Sequence, residues 1–174
     1  VITGGMHLDG LSDTADAFFS VKRKEEMLAI MRDPHAGVMG ILSLICVIFL
    51  KIGLLSSIKA PLIASSLILM CVLSRWSAVL AVFLFPYVRS EGKAKIFTSG
   101  INIKIFLLAT IIAFACAFFV WYVKVLVIGL IAAGVTFLIG RLSVRKIDGI
   151  TGDVLGAIIE SVEVITLFIF SIKY

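Results

Sequence analysis

Three aspartates stand close together near the start of the chain, at spacings of four and then three residues. They are Asp9, Asp13 and Asp16, within the segment 7–16. If this segment is helical, the spacing puts all three carboxylates on one face, where like charges destabilise a bare helix by about 0.2–0.5 kcal/mol per pair. A divalent cation would offset the repulsion, and Mg2+ prefers carboxylate and phosphate oxygens. The pattern predicts a magnesium site, with a solvated acidic face as the alternative.

A second polar stretch, 146–153, leads into the last apolar block of the sequence. Its glycines, among them Gly152, would leave backbone N–H groups free to face a phosphate at a helix start. Thr151 or Asp153 could cap that helix, and Asp153 is also a candidate metal ligand. Glu160 lies about 10 Å further along the same helix face. We expect Glu160 to face the bundle interior, where a metal ligand and an ion-pair partner are equally open roles.

A third polar stretch, 31–37, contains Arg32 and Asp33 directly before Pro34. Asp33 could add a metal ligand and Arg32 a phosphate contact. A simple helix stop before the proline is the alternative, since the residue before a proline disfavours helical geometry. At the first stretch, His7 could act as an acid–base group or only as a hydrogen-bonding residue near an interface.

Two further arginines are candidates for binding a phosphate. Arg75 lies well inside an apolar block. It could extend to the interface, pair with Glu160 or bind a phosphate. Arg89 follows Pro86 at the end of the same block. It could hold a phosphate through two parallel hydrogen bonds or contact a lipid headgroup.

The elements that must position these residues are long apolar segments. The chain is 61% apolar, with a mean hydropathy of +1.17. A helix needs roughly 20 mostly apolar residues to cross the hydrocarbon core. The sequence therefore predicts an all-α, polytopic transmembrane bundle in a single domain, 1–174, with the acidic stretch as an N-terminal helical segment. The apolar blocks are 38–55, 61–85, 101–121, 123–139 and 154–172.

The distribution of basic residues predicts the orientation of the bundle. If each block crosses the membrane once, the segments 1–37, 86–104 and 140–153 share one side. That side carries eleven Lys and Arg residues: Lys22, Arg23, Lys24, Arg32, Arg89, Lys93, Lys95, Lys104, Arg141, Arg145 and Lys146. The other side carries four: Lys51, Lys59, Lys124 and Lys173. By the positive-inside rule the first side, which holds the acidic stretch, is cytoplasmic.

The three polar stretches together resemble the cobalamin synthase family of membrane-bound adenosylcobinamide-GDP ribazoletransferases. Order and spacing agree across essentially the whole chain. The family usually has an additional hydrophobic region before this point, so we expect the chain to lack it, and Asp148 stands where a glycine is usual. The matching phrases are 3–16, 30–40, Arg75-Trp76, 86–92 and 150–157 with Glu160.

The resemblance implies a reaction and roles for the candidate residues. The enzyme would join adenosylcobinamide-GDP to α-ribazole, or to its 5′-phosphate, and release GMP. Mg2+ is the implied metal, held on the diphosphate by Asp9, Asp13 and Asp16. Asp153 would add a ligand or act as the base for the attacking hydroxyl. The candidates for stabilising the leaving GMP are Arg32, Arg75 and Arg89.

Two other functions remain open at this point. A transporter would also explain ionisable residues inside apolar blocks, although no inverted repeat is visible. Another metal-dependent membrane alcohol phosphotransferase would use the same acidic cluster. The dispersed basic residues favour the lipid bilayer of the plasma membrane over nucleic acid as a partner. Self-association is left open.

Overall fold

The computed structural model describes residues 4–89, 100–122 and 124–172. Within these ranges the chain forms seven helices and no strand, so the predicted all-α class is confirmed. The helices are α1 (Met6–Phe19), α2 (Lys24–Ile30), α3 (Val38–Ser57), α4 (Ala60–Leu84), α5 (Ile103–Trp121), α6 (Lys124–Ile147) and α7 (Gly152–Ile172). The following residues used above lie outside the described ranges: Thr3, Ser90, Glu91, Gly92, Lys93, Lys95 and Lys173.

Five of these helices, α3 to α7, are long and apolar enough to cross a membrane. They correspond to the five predicted blocks, but the fourth helix extends well past residue 139. It continues to Ile147 and includes Arg141 and Arg145. Both arginines are exposed in the last two turns. A long basic side chain near a helix end can reach the polar interface, so these charges do not end the helix.

The helix α7 is the centre of the bundle. It packs against α1, α3, α4 and α6, and its core side chains include Val154, Ile158 and Leu167, all fully buried. In the most apolar stretch of α7, 56% of the residues are buried, compared with 6% in the corresponding stretches of α3 and α5. The outer helices therefore present apolar side chains outward, as helices in contact with lipid must.

The first helix packs antiparallel against the start of α7 at a distance that only glycine allows. A Cβ on Gly10 would lie 2.8 Å from the backbone oxygen of Asp153. A Cβ on Gly156 would lie 2.9 Å from the backbone oxygen of His7. Each glycine therefore faces backbone of the other helix. This close approach brings the acidic face of α1 beside the N-terminus of α7.

Candidate active site

A pocket of about 270 Å³ opens where α1, the α2–α3 connection and the start of α7 meet. It brings together candidate residues from all three polar stretches, which are far apart in the sequence. The pocket is lined by Asp9, Ser12, Asp13, Met31, Arg32, Asp33, Pro34, Ala36 and Asp153.

Backbone pairing between two distant segments places Arg89 beside Asp153. Ile150 N–H donates to the Pro86 carbonyl (2.8 Å), and Val88 N–H donates to the Ile150 carbonyl (3.0 Å). One residue after Val88 and three residues after Ile150, the Arg89 guanidinium forms an ion pair with Asp153, with Nη2 and Oδ2 2.7 Å apart. Each of the two side chains is only 17% exposed. The pairing therefore brings an arginine into direct contact with one of the pocket acids.

Thr151 is the residue that caps α7. Its Oγ1 accepts a hydrogen bond from the Val154 N–H (3.3 Å) and donates to Asp153 Oδ2 (3.2 Å). The capping hydroxyl is fully buried. Asp153 is thus held by Thr151 and Arg89, and Gly152 is the first residue of the helix. Of the two caps considered from the sequence, Thr151 takes the position, which leaves Asp153 directed into the pocket.

Asp13 is the acid whose ionisation is most affected by the pocket. Burial, followed by the negative charges of Asp9 and Asp153, raises the pKa of Asp13 to about 7, and the positive charge of Arg89 opposes this. The Ser12 hydroxyl, also in the pocket lining, is buried without a hydrogen-bond partner. Four lining carboxylates, Asp33 included, against Arg32 and the paired Arg89 leave an excess of negative charge at the opening.

These oxygen donors fit a hard divalent cation such as Mg2+. Within the described ranges, no three His, Cys, Asp or Glu side chains converge to form a complete protein metal site. Mg2+ does not need one, because it usually keeps several waters and binds one or two carboxylates together with substrate phosphates. Asp9, Asp13 and Asp153 are therefore suited to a cation that arrives with a phosphorylated ligand.

The third aspartate of α1 is directed to a different partner. Asp16 accepts hydrogen bonds from the backbone N–H groups of Gly37 (2.7 Å) and Gly40 (2.8 Å), at the start of α3. A Cβ on either glycine would collide with the Asp16 carboxylate. Asp16 shares the acidic face of α1, as the spacing predicted, but its two oxygens cap α3. To bind a metal it would have to release these N–H groups.

The α2–α3 connection supplies Arg32 and Asp33 to the pocket wall. The Asp33 carboxylate also accepts hydrogen bonds from the backbone N–H (3.0 Å) and Nδ1 (2.7 Å) of His35. These bonds, the backbone one first, lower the pKa of Asp33. Arg32 is exposed at the pocket mouth. It is placed to meet an anionic ligand entering from outside.

Two of the predicted site residues lie away from the pocket, in a group of charges inside the bundle. Lys51 Nζ is 2.6 Å from carboxylate oxygens of both Glu160 and Glu163. Arg75 pairs with Glu163; pairing with Glu160 was one of three alternatives open from the sequence. Glu160 is therefore the partner of a lysine and does not line the pocket. We call these four residues the interior cluster.

His7 lies beside the interior cluster and does not line the pocket. Burial lowers the pKa of His7, and the positive charge of nearby Arg75 lowers it further. Lys51, counted with the far side of the membrane from the sequence, lies inside α3, six residues before the helix ends at Ser57. By sequence alone Glu163 is a weaker candidate than Glu160, yet it pairs with two cations, Lys51 and Arg75. The sequence signal for the interior cluster is a lysine in one apolar block, Lys51, and two acids in another, Glu160 and Glu163.

Comparisons with known proteins place the chain in a family. A family model described as Cobalamin-5-phosphate synthase matches residues 1–171. A relative named Adenosylcobinamide-GDP ribazoletransferase, from Caldanaerobacter subterraneus subsp. tengcongensis, is 36% identical over 174 residues, which cover 99% of this chain and 70% of the relative. No solved structure matches the chain.

Two further relatives carry the same name. The protein from Roseiflexus sp. (strain RS-1) is 39% identical over 167 residues, covering 96% of this chain and 62% of the relative. The protein from Acetivibrio thermocellus is 37% identical over 175 residues, covering 98% and 69%. Because both the family model and these relatives match nearly the whole chain, it belongs to the cobalamin-5-phosphate synthase family.

Proposed function

We propose that this protein is a Mg2+-dependent membrane transferase of cobalamin biosynthesis. It joins adenosylcobinamide-GDP to α-ribazole, or to its 5′-phosphate, and releases GMP. The observation that carries the proposal is the pocket where Asp9, Asp13 and Asp153 meet. The family and the names of its relatives support the same reaction. A transporter or a structural membrane subunit would not require three carboxylates at one opening.

The pocket would hold the diphosphate of the nucleotide-activated substrate. Asp9, Asp13 and Asp153 are the residues that would hold Mg2+ there. The cation would neutralise charge that develops on the phosphate oxygens. Arg32, exposed at the mouth, would bind the nucleotide phosphate that leaves with GMP. Such reactions depend mainly on positioning and charge stabilisation.

The proposed reaction is a nucleophilic substitution at phosphorus. A ribazole hydroxyl oxygen forms a bond to the phosphorus that carries cobinamide, and the bond from that phosphorus to the bridging oxygen of GMP breaks. The hydroxyl proton passes to a pocket carboxylate, Asp153 or Asp13. The departing GMP keeps the bridging oxygen and its electron pair.

The pocket side of the bundle is proposed to face the cytoplasm, in the plasma membrane. The excess of basic residues on this side supports the orientation. The C-terminal ends of α1 and α6 and the starts of α3 and α7 meet here, because Asp16 binds the start of α3 and Lys146 Nζ donates to the Phe18 carbonyl (2.8 Å). Water-soluble substrates made in the cytoplasm would reach the pocket directly.

The test is an assay of GMP release by the protein in lipid nanodiscs. With adenosylcobinamide-GDP and α-ribazole, we expect equal amounts of GMP and a cobalamin product, and we expect EDTA to stop the reaction. A control without α-ribazole should release little GMP. Equal GMP release with water alone would identify a hydrolase instead. Solute flux through sealed vesicles without GMP release would favour a transporter.

A further inference from the structure

The interior cluster places four ionisable side chains inside the membrane-spanning part of the bundle. Lys51 is in α3, Arg75 is in α4, and Glu160 and Glu163 are one turn apart in α7. Lys51 lies 13 residues after the start of α3, which is about 20 Å along the helix. Two positive and two negative groups make the cluster neutral when all four are ionised. Charges at such depth are costly unless they are paired.

Glu163 is the residue that connects the cluster. One of its oxygens is 2.6 Å from Lys51 Nζ, and the other accepts from Arg75 and from the Ser74 hydroxyl at 3.3 Å. Glu160 contacts Lys51 alone, also at 2.6 Å. The two acids are equally buried, at 4% and 5% exposure. Loss of Glu160 leaves both cations paired, whereas loss of Glu163 leaves Arg75 without its acid.

The cluster joins three helices below the pocket. Arg75 is 42% exposed and could turn outward, so its pair with Glu163 is what holds it against α7. Lys51 ties α3 to the same side of α7. At the pocket end, α3 begins where Asp16 of α1 binds Gly37 and Gly40, and α7 begins beside Asp153. A shift of either helix at the cluster would therefore change the positions of the pocket acids.

We propose that Lys51, Arg75 and Glu163 are positioning residues, which fix α3 and α4 against α7 and so set the spacing of the acids on α1 and α7. Glu160 is a secondary acceptor for Lys51. The inference rests on the proposed reaction only for its effect on turnover. Its effect on stability follows from the contacts alone.

The first experiment compares Glu163→Gln with Glu160→Gln. The pair is well matched, because both changes remove one charge from the same face of α7, one turn apart and at similar burial. We expect Glu163→Gln to lower the melting temperature in detergent more than Glu160→Gln does. Per folded protein, Glu163→Gln should lower kcat by about 10-fold to 100-fold with KM nearly unchanged, because small misplacements of reacting groups have effects of that size. Glu160→Gln should keep most of the wild-type kcat.

A second variant keeps the test informative if Glu163→Gln does not fold. Arg75→Met combined with Glu163→Gln leaves Lys51 paired with Glu160, 2.6 Å apart, so neither remaining charge lacks a partner. We expect the double variant to melt at a higher temperature than Glu163→Gln and to recover part of its kcat. Equal effects of Glu160→Gln and Glu163→Gln, or no gain in the double variant, would overturn the proposal. So would a folded Glu163→Gln protein with wild-type kcat.

The same measurements separate this inference from the proposed function. If the wild-type protein releases no GMP with α-ribazole, the proposed function fails. The order of melting temperatures, with Glu160→Gln above the double variant and the double variant above Glu163→Gln, still supports the cluster in that case. Any other order contradicts the cluster, whatever the activity.

Discussion

Two groups of charged side chains lie in this bundle, and they differ in how their charges are balanced. In the interior cluster, two cations meet two acids at hydrogen-bonding distance. In the pocket, Asp9, Asp13 and Asp153 face the same opening, and Arg89 pairs with only one of them. The interior cluster is neutral and closed, whereas the pocket is negative and open. Negative charge left without partners at an opening indicates a ligand-binding site. Charges that are paired in the core indicate a structural role in helix packing.

Asp16 shows that the distinction does not follow from sequence position. It stands on the same helix face as Asp9 and Asp13, yet both its oxygens accept backbone N–H groups of α3. Its charge is therefore stabilised within the fold, as the charges of the interior cluster are. Among the acids of α1, only Asp9 and Asp13 line the pocket.

The largest expected effect comes from removing one of the negative charges in the pocket. Asp13→Asn keeps the size of the side chain but removes its negative charge, so the side chain can no longer bind a cation as a carboxylate. We expect turnover at saturating substrate and Mg2+ to fall by about 10²–10³-fold, as for the loss of one strong transition-state contact. Glu25→Gln, an exposed acid on α2, is the control and should keep wild-type turnover. Unchanged turnover of Asp13→Asn at low Mg2+ would contradict the metal role.

The next effect tests the packing that brings the pocket acids together. Gly10→Ala would place a Cβ 2.8 Å from the backbone oxygen of Asp153, so α1 and α7 must separate. We expect a loss of about 1–3 kcal/mol of stability, as for other overpacked cores, and a lower kcat. Gly53→Ala in α3 is the matched control, because its Cβ would meet nothing within 4 Å. A melting temperature and kcat equal to those of Gly53→Ala would show that the close approach is not required.

The unbalanced negative charge of the pocket should also affect how the stability of the metal-free protein depends on pH. The pKa of Asp13 is about 7 in the fold, compared with an ordinary value of 3.8. Between these values the folded protein keeps a proton that the unfolded chain has released, so the contribution of Asp13 to stability falls as pH rises. Asp13→Asn should lack this fall.

The measurement is the melting temperature of both proteins in EDTA, across the pH range from about 4 to 8. The variant should gain on the wild type as pH rises and then keep a constant advantage above the folded pKa. Parallel curves over the whole range would mean that burial and the acidic neighbours do not raise the pKa of Asp13. In that case the contrast between the open and the closed group would lose its electrostatic basis.

Features set by local sequence could be predicted, and features set by long-range contacts could not. Five apolar blocks predicted five long helices because hydropathy acts over consecutive residues. The spacing of the aspartates predicted a shared face because helix geometry is local. The partners of Lys51 lie 109 and 112 residues away. No spacing rule connects such residues, so the interior cluster became visible only in the fold.

The same limit applies to the third aspartate and to the turn before α7. The capping of α3 by Asp16 depends on how α1 and α3 meet, which the sequence does not state. Asp148, noted only as a departure from a usual glycine, has a φ of 63°. Glycine is the residue that most easily adopts this left-handed conformation, and Asp tolerates it better than most others. The backbone thus explains a difference that the sequence could only record.

The smallest expected effect supplies a reference for charge pairs that are neither buried nor open to a pocket. Asp148 pairs with Lys24 at 2.5 Å, with side-chain exposures of 74% and 35%. Exposed pairs contribute about 0–1 kcal/mol. Asp148→Gly loses this pair but relieves the left-handed backbone, so the two effects offset each other and the melting temperature should hardly change.

Asp148→Asn separates the two contributions, because asparagine tolerates the left-handed conformation but carries no charge. We expect it to lose only the ion pair, about 0–1 kcal/mol, and to lose less at high salt, which screens exposed charges. A loss as large as that of Glu163→Gln would mean that burial does not distinguish the charge pairs of this protein. The interior cluster would then need another explanation than its closed, balanced charges.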